Sequence, residues 1–440
     1  MSRKNYIITS GQYNAKPNKE VLSGLEKLAE KTDAEIIVMP TKGRTVQDDF
    51  LHPSLQEFTN VSGEENINKN LKLHNLQINS NQIRPQTGVR HFVKDDRGLI
   101  FGHPKQTLSY IANEVDKLPK PLASTGAVTL PNYGDVGRIN EIARKDHKYG
   151  GVFVSVVDDR HFHFRHVQAL KNGKFQDVTG QYNKNNWRSQ PNTESIVFGD
   201  IHAYALDEKH KQASKEQVEE LKPKHGFIHD LFDGYSINPW IQNKSVSKYK
   251  AFKEQGLSLE DELELTADVL EEYASMEGLR GKLYVVGSNH DEWIDRYLQE
   301  GGFLDDKGNE AIGARLYSKM IEGYSPLEAG LREAKELPGN VEFIGRGDSV
   351  KIRGVEHARH FDERTKGGKT NPRSLEDKVG KATGGHTHTP YMERDIVVAG
   401  TSTVLPRDFQ SGYDNSLQSN VVLYSDGGRQ ILNTVGAEWK

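Results

Sequence analysis

The chain has 440 residues, of which 35% are hydrophobic and 27% are charged, a length that suits two or three domains. It contains no cysteine, which excludes a disulfide framework and any thiolate metal site. It also has no run of about 18 apolar residues, so we expect no membrane partner. Met1 to Tyr6 lead into a strand-like run and not into the apolar core of a signal peptide, so a cytoplasmic location is expected.

The formal net charge of −4 conceals an asymmetry along the chain. Residues 1–190 carry 27 Lys and Arg against 20 Asp and Glu, whereas residues 191–440 carry 31 against 42. A basic part joined to an acidic part is typical of a protein whose first part contacts a polyanion. Ordinary compositional drift explains the same asymmetry.

The first part of the chain has the pattern of an α/β domain. Tyr6 to Thr9 and Glu35 to Met39 are short apolar runs, and Val21, Leu25 and Leu28 between them recur at helical spacing. Gln181 to Ser195 has almost no apolar content and is the best candidate for a linker. The sequence therefore predicts an N-terminal α/β domain over residues 1–185 and a second domain over residues 195–440.

In the second part, successive apolar runs end in residues that bind metals. Ile196 to Phe198 is the first such run, and residues two apart in an extended segment point the same way, so one cation could contact both side chains that follow it. Carboxyl ends of neighbouring parallel strands lie at one edge of a sheet. The side chains expected to meet there are Asp200, His202, Asp230, Asn289, His290, His357 or His360, His386 and His388.

Carboxylate and amide oxygens mixed with imidazoles suit Mn²⁺, Fe or Zn²⁺ better than Ca²⁺. Seven such ligands are too many for one cation and about right for two, which together can clamp a phosphoryl group. Asp230 lies alone between two more complete sets and is the best candidate for a bridging ligand. His357 is nearer to the end of its strand than His360, so we prefer it as the ligand of that segment.

The order Asp-x-His, lone Asp, Asn-His-Asp, His and Gly-His-x-His resembles the calcineurin-like metallophosphoesterase superfamily over roughly residues 195–430. The resemblance implies a two-sheet α/β sandwich with a two-metal centre, to which the N-terminal α/β domain is added. It implies that Asp200, His202 and His388 hold one metal, that Asn289, His357 and His386 hold the other, and that Asp230 bridges them. It also implies that His290 is the general acid and that Asp291 orients its imidazole.

The segments Gly400 to Ser402 and Asn420 to Gln430, with Ile100 to Gln106 and Ser124 to Thr129, resemble a narrower, phage-encoded branch of that superfamily. This branch includes an early phage protein that degrades host DNA. The resemblance implies a nuclease in the cytoplasm of the host cell, with two divalent cations (Mn²⁺ first, Fe or Zn²⁺ as alternatives) and a metal-bound hydroxide as the nucleophile. We consider two alternatives: a phosphomonoesterase acting on nucleotides or phosphoproteins, and a DNA-processing subunit whose first part is a binding or homo-oligomerisation module.

A basic, glycine-containing segment between the His357 and His386 turns is the candidate DNA contact. A loop in this position would overhang the metals, where its cations could neutralise phosphates. A solvated insertion is the alternative interpretation. The residues concerned are Arg364, Lys366, Lys369 and Arg373.

Overall fold

The computed structural model describes residues 3–43, 50–183, 186–237, 258–363, 372–406 and 412–440. The architecture is mixed α/β, as predicted, with helices packed against several sheets. Among the described helices, none combines the length and the apolar character needed to cross a bilayer.

The strands of the described residues are numbered in chain order. The first fourteen are β1 (Lys4–Gln12), β2 (Ala34–Thr41), β3 (Thr59–Asn60), β4 (Glu64–Asn66), β5 (Leu71–His74), β6 (Gly98–Phe101), β7 (His103–Ile111), β8 (Asn113–Glu114), β9 (Lys120–Gly126), β10 (Tyr149–Val156), β11 (Phe162–Ala169), β12 (Lys174–Asp177), β13 (Gly180–Asn183) and β14 (Asn186–Arg188). The others are β15 (Thr193–Val197), β16 (His225–Ile228), β17 (Leu283–Val286), β18 (Val341–Ile344), β19 (Lys351–Ile352), β20 (Val355–Glu356), β21 (Ala382–Gly384), β22 (Tyr391–Glu393), β23 (Ile396–Val398), β24 (Tyr413–Asp414), β25 (Ser419–Tyr424) and β26 (Arg429–Asn433).

The α-helices of the same residues are α1 (Lys19–Thr32), α2 (Pro53–Gln56), α3 (Arg138–Lys145), α4 (Glu208–Leu221), α5 (Leu259–Ala274), α6 (Trp293–Gln299), α7 (Glu310–Ile321), α8 (Pro326–Ala334) and α9 (Pro372–Val379). Single 3₁₀ turns lie at Val89–Phe92, Ala203–Ala205, Tyr235–Ile237 and Gly302–Asp305.

A five-stranded sheet with the order β11-β10-β1-β2-β3 contains the predicted strand–helix–strand unit. Strands β1 and β2 are parallel, and α1 connects them. The Asn18 side chain accepts hydrogen bonds from the amides of Glu20 and Val21, so it caps a helix terminus whose first amides have no partner within the helix. The prediction for this segment is confirmed.

A six-stranded sheet with the order β18-β17-β16-β15-β25-β26 supports most of the predicted ligand segments. Strands β15 to β18 are parallel, whereas β25 runs antiparallel to β15. The four parallel strands therefore end at the same edge, and the loops that follow them are brought together there. Helix α5 covers this sheet and begins with a capping box between Ser258 and Asp261.

A ten-stranded sheet has the order β19-β20-β21-β23-β22-β7-β9-β6-β5-β4. It draws strands from both sides of the predicted boundary, because β22 pairs with β7 through Met392 opposite Leu108. The division into residues 1–185 and 195–440 therefore does not separate two sheets. Gln181 to Ser195 is also not a plain linker, since it includes β14 and parts of β13 and β15.

One hydrophobic cluster lies between the two large sheets. It joins Val197 and Phe227 of the six-stranded sheet to Leu108 and Val397 of the ten-stranded sheet, and all four side chains are buried. Burial of apolar surface shared by both sheets holds them face to face. This core fixes the loops at the carboxyl edge of β15 to β17 against the loop that follows β21.

Candidate metal centre

The ligand-type residues predicted from the sequence follow the strands of two sheets. Asp200 and His202 come after β15, Asp230 after β16, and Asn289 after β17. His386 and His388 come after β21 of the ten-stranded sheet. The structure brings these side chains together into groups of His and Asp that could hold a metal ion.

The first group consists of His202, Asp230 and His388, whose ligand-type atoms all lie within 4.8 Å of one another. His202 Nε2 is 3.0 Å from His388 Nε2 and 3.6 Å from Asp230 Oδ2. His388 Nε2 also lies 3.4 Å from Oδ2 of the buried Asp200. Imidazole nitrogens and carboxylate oxygens therefore converge on one small volume.

The second group consists of Asp230, His360 and His386. His360 Nε2 lies 3.1 Å from Asp230 Oδ2 and 3.1 Å from Asn289 Oδ1. The rings of His360 and His386 meet edge to face at 5.0 Å. Asp230 therefore belongs to both groups, and its predicted role as a bridging ligand stays a prediction.

The sequence favoured His357 as the ligand of this segment, but His360 and not His357 belongs to these groups. Both side chains are buried, but His357 Nδ1 bonds to the Val355 carbonyl at 2.8 Å and its Nε2 bonds to Ser195 Oγ at 2.9 Å. A nitrogen facing a carbonyl must donate, so Nδ1 carries the proton and Nε2 accepts from Ser195. Both ring nitrogens of His357 are thus used within the core, and burial lowers its pKa to about 4.

Asp291, which the resemblance implied to orient the His290 imidazole, forms its hydrogen bonds with other groups. Its carboxylate accepts hydrogen bonds from the Phe232 amide at 3.1 Å and from the Ser288 hydroxyl at 2.8 Å. It therefore ties together the loops after β16 and β17 and does not contact the His290 ring. Burial, and next the Asp230 carboxylate, raises the pKa of Asp291 to about 6.

The carboxyl group near His290 is that of Asp233, a residue that the sequence analysis did not single out. Asp233 Oδ1 lies 3.0 Å from His202 Nδ1 and 4.0 Å from His290 Nδ1, and the Asp233 carbonyl is 3.3 Å from His290 Nδ1. His202, Asp233 and His290 form a third group of ligand-type side chains. The spacing Asp230-x-x-Asp233 was the available signal for this residue.

Trp293 is a second neighbour of His290 that sequence reasoning did not single out. Its ring stacks on the His290 ring at 4.4 Å with an interplanar angle of 27°. On the other side, His290 meets His202 edge to face at 4.7 Å. The His290 imidazole therefore packs against the Trp293 ring and against His202 of the first group.

The backbone at the centre has a conformation that side chains seldom adopt. His202, Asp230, His386 and His388 have φ of 46°, 44°, 80° and 53°. Each such residue costs on the order of 1–3 kcal/mol, and such residues cluster at functional sites. Gly385 lies so close to Asp200 that a Cβ there would be 2.0 Å from Asp200 Oδ1.

The electrostatics of the centre are those of a tightly coupled acid–base pair. Burial lowers the pKa of His360, but the Asp230 carboxylate outweighs it and raises that pKa to about 9. Burial would raise the pKa of Asp230, yet His360 and the neighbouring imidazoles hold it well below its ordinary value. The proton on His360 therefore lies between the imidazole and the Asp230 carboxylate. A metal cation in its place would interact favourably with both groups.

The donor set fits a divalent transition metal. Oδ1 of Asp230 is buried and has no hydrogen-bond partner within the described chain. Buried polar atoms without partners are costly unless something else satisfies them. Imidazole, carboxylate and amide donors suit Mn²⁺, Fe or Zn²⁺.

The four predicted DNA contacts have no described side chains. Arg364, Lys366 and Lys369 lie outside the described residues, and Arg373 belongs to α9 without a described side chain. Their role stays a prediction.

Comparisons with known proteins define the class only coarsely. No family model matches the chain, and no solved structure matches it. The chain is similar to Protein A1 of Escherichia phage T5, with 27% identity over 468 aligned positions that cover 98% of this chain and 82% of that protein. The similarity extends across the predicted domain boundary, as does the ten-stranded sheet.

Proposed function

We propose that this protein is a two-metal-dependent phosphodiesterase that hydrolyses DNA. The observation that carries the proposal is the shared carboxylate: Asp230 Oδ2 lies 3.6 Å from His202 Nε2 on one side and 3.1 Å from His360 Nε2 on the other. One cation would be held by Asp200, His202, His388 and Asp230. The other would be held by Asp230, Asn289, His360 and His386.

Bound cations would supply charge neutralisation at the phosphoryl oxygens and an activated water. His290 is the candidate for protonating the departing oxygen, because it lies beside the first group and its side chain, 21% exposed, is more exposed than those of His202 and His388 in that group. The Asp233 carbonyl, 3.3 Å from His290 Nδ1, accepts the proton of that nitrogen and leaves Nε2 for the reaction. Trp293 holds the plane of the ring by stacking.

DNA is the proposed substrate for two reasons. The chain is related to a phage protein, and the sequence has features of the phage-encoded branch described above. Residues 1–190 also carry an excess of positive charge, which favours a polyanionic substrate over a small phosphomonoester. The proposal places the protein in the host cytoplasm, with DNA as its partner.

The test uses the full chain, stripped of metal with a chelator and then supplied with Mn²⁺, Fe²⁺ or Zn²⁺. We expect cleavage of circular and linear DNA and of bis(p-nitrophenyl) phosphate, with little activity on p-nitrophenyl phosphate. Hydrolysis of the monoester alone would favour the phosphomonoesterase alternative. Full activity in the presence of chelator would contradict a metal-dependent enzyme.

A substitution separates the role of His290 from metal binding. His290→Ala should reduce DNA cleavage by about 10²–10⁴-fold, the usual contribution of a general acid, while the bound metal measured by elemental analysis stays at the wild-type level. His91→Ala, at an exposed position in a 3₁₀ turn, is the matched control and should leave both unchanged. Loss of metal together with activity in His290→Ala would show that His290 is a ligand instead.

A further inference from the structure

A groove lies at the end of the six-stranded sheet opposite to the metal centre. It consists of two adjoining depressions of about 670 Å³ and 360 Å³, which share Gln181 and Arg188. Asn192 lines the smaller depression and immediately precedes β15, whose other end leads to Asp200. At ~3.3 Å per residue, the groove is roughly 25 Å from the metal ligands along the direction of β15.

The groove is lined by cations on several elements. Lys174 and Arg188 belong to β12 and β14, Lys222 follows α4, and Arg280 lies before β17. All four side chains are exposed, and none has an ion-pair partner within the described part of the chain. One carboxyl group, that of Asp426, lines the larger depression, so positive charge is in excess.

An aromatic side chain lies in the same groove. Trp187 is 37% exposed, although residues of its type are usually well covered. Its indole Nε1 donates to the Thr179 carbonyl at 3.2 Å, and Lys31 Nζ lies 4.8 Å from the ring. The ring is therefore held in place by polar contacts while part of its surface stays open.

We propose that this groove binds single-stranded nucleic acid, with the four cations contacting phosphates and Trp187 stacking on an unpaired base. Non-specific binding of single strands combines these two elements, a positively charged groove along the backbone and an aromatic ring for the bases. A duplex keeps its bases stacked inside, so it could use the cations but not the indole. The proposal rests on the proposed function, since the ligand is the product or the unpaired part of the same DNA that the metal centre hydrolyses.

The test measures binding of a fluorescein-labelled oligothymidylate and of a labelled duplex by fluorescence anisotropy, in chelator so that nothing is cleaved. Trp187→Ala should weaken single-strand binding by about tenfold, within the range for loss of one base stack, and leave duplex binding unchanged. The double variant Lys174→Glu with Arg188→Glu should weaken binding of both ligands and lower the salt dependence by about one or more units of slope. Thermal unfolding of each variant shows that the chain is folded.

The controls match size and charge elsewhere on the surface. Tyr324→Ala removes an aromatic ring that is 61% exposed, and Lys94→Glu with Lys307→Glu reverses two exposed cations that have no ion-pair partner within the described residues. Both controls should bind like the wild type. All variants should retain metal-dependent hydrolysis of bis(p-nitrophenyl) phosphate, because this diester is too small to span the distance from the metal centre to the groove.

Each outcome bears on one proposal. Groove variants that bind as tightly as the wild type would overturn the nucleic-acid groove, whatever their activity. If polyglutamate displaces the labelled oligonucleotide as effectively as unlabelled oligothymidylate does, the nucleic-acid groove is overturned in favour of a site for an acidic polypeptide. A wild-type protein that binds the oligonucleotide through the groove but hydrolyses no diester would refute the proposed function and leave the groove supported.

Discussion

At the scale of single residues, the candidate metal centre depends on a glycine whose surroundings leave no space for a side chain. The ideal Cβ at Gly385 would lie 2.0 Å from Asp200 Oδ1, far inside van der Waals contact. Asp200 Oδ2 accepts the amide of His386 at 2.8 Å, so the glycine and the carboxylate pack as one unit. A side chain at position 385 must therefore displace the Asp200 carboxylate.

We predict that Gly385→Ala loses metal binding by roughly 10- to 100-fold, the effect typical of disturbing the surroundings of a ligand, and loses diesterase activity with it. Isothermal titration with Mn²⁺ measures the first and bis(p-nitrophenyl) phosphate hydrolysis the second. Gly339→Ala is the control, because a Cβ there meets nothing within 4 Å. Wild-type metal affinity in Gly385→Ala would contradict the placement of Asp200 at the metal.

The two histidines after β20 give a second prediction at this scale. His360→Ala should abolish binding of one of the two metals and with it activity, because His360 contacts both Asp230 and Asn289. His357→Ala should retain both metals and instead lower the free energy of unfolding by about 1–3 kcal/mol, since it leaves the Ser195 hydroxyl and the Val355 carbonyl without a partner. Elemental analysis and urea unfolding of both variants distinguish the two roles. Loss of metal in His357→Ala would show that His357 is the ligand, as the sequence analysis preferred.

The sequence led to the ligand types but not to the choice between these histidines. Apolar runs that end in Asp, Asn and His indicated segments that the structure brings together, because strand ends are local features. The contact that removes His357 from the centre joins it to Ser195, 162 residues away in the chain. Such a pairing leaves no trace in the spacing of either segment.

At the scale of secondary-structure elements, a buried ion pair joins two strands of the first part of the chain, and a hydrogen bond connects this pair to the last strand. Arg165 of β11 and Asp177 of β12 are both buried, with Arg165 Nη2 2.8 Å from Asp177 Oδ2. Gln430 of β26 donates to Asp177 Oδ1 at 2.8 Å. Burial raises the pKa of Asp177, but the Arg165 guanidinium outweighs it and lowers that pKa to about 2.

We predict that Asp177→Ala lowers the free energy of unfolding by about 3–5 kcal/mol, because it leaves the Arg165 guanidinium buried without its partner. The carboxyl pKa is depressed in the folded state, so the stabilisation is present above about pH 4 and is lost as the pH falls towards 2. Urea unfolding at neutral pH measures the effect. Asp159→Ala, which breaks an exposed pair with Lys69 at 2.7 Å, should cost about 1 kcal/mol or less.

The elements that could be predicted from the sequence are those with a strong local period. The unit β1-α1-β2 and helix α5 with its capping box are examples, because caps and amphipathic spacing lie within a few residues. The stretch around Trp187 was interpreted as a linker from its low apolar content, yet it contains β14. Short exposed strands have almost no buried face, so composition does not distinguish them from loops.

At the scale of the whole molecule, several histidines are buried far from the metal centre. Burial lowers the pKa of His103 to about 3 and those of His147, His166 and His210 to about 4. The folded state keeps these imidazoles neutral, whereas the unfolded chain protonates them below about pH 6.5. Stability is therefore complete above pH 6.5 and declines as the pH falls from there towards 4.

We predict that His166→Gln reduces this acid sensitivity. The glutamine amide can donate to the Ser124 carbonyl as His166 Nε2 does at 2.9 Å, but it takes up no proton. The loss of unfolding free energy between pH 6.5 and 5 should be smaller than in the wild type by about 1.5 kcal/mol, because the slope for one group grows towards ~1.4 kcal/mol per pH unit as the unfolded imidazole becomes protonated. Urea unfolding at both pH values measures this difference. His91→Gln, at an exposed position, is the control. A pH dependence of His166→Gln identical to that of the wild type would contradict the role of His166 in the acid sensitivity.

The pairing of β7 with β22 has a consequence for how the protein is made in the cell. Leu108 leaves the ribosome long before Met392, its partner in the sheet. At ~5–20 residues per second the delay is of the order of tens of seconds. Throughout that time the nascent chain presents an unpaired strand edge, which is a template for aggregation. Holding chaperones, or a slow folding step that keeps this edge covered until translation ends, should therefore determine the yield of native protein.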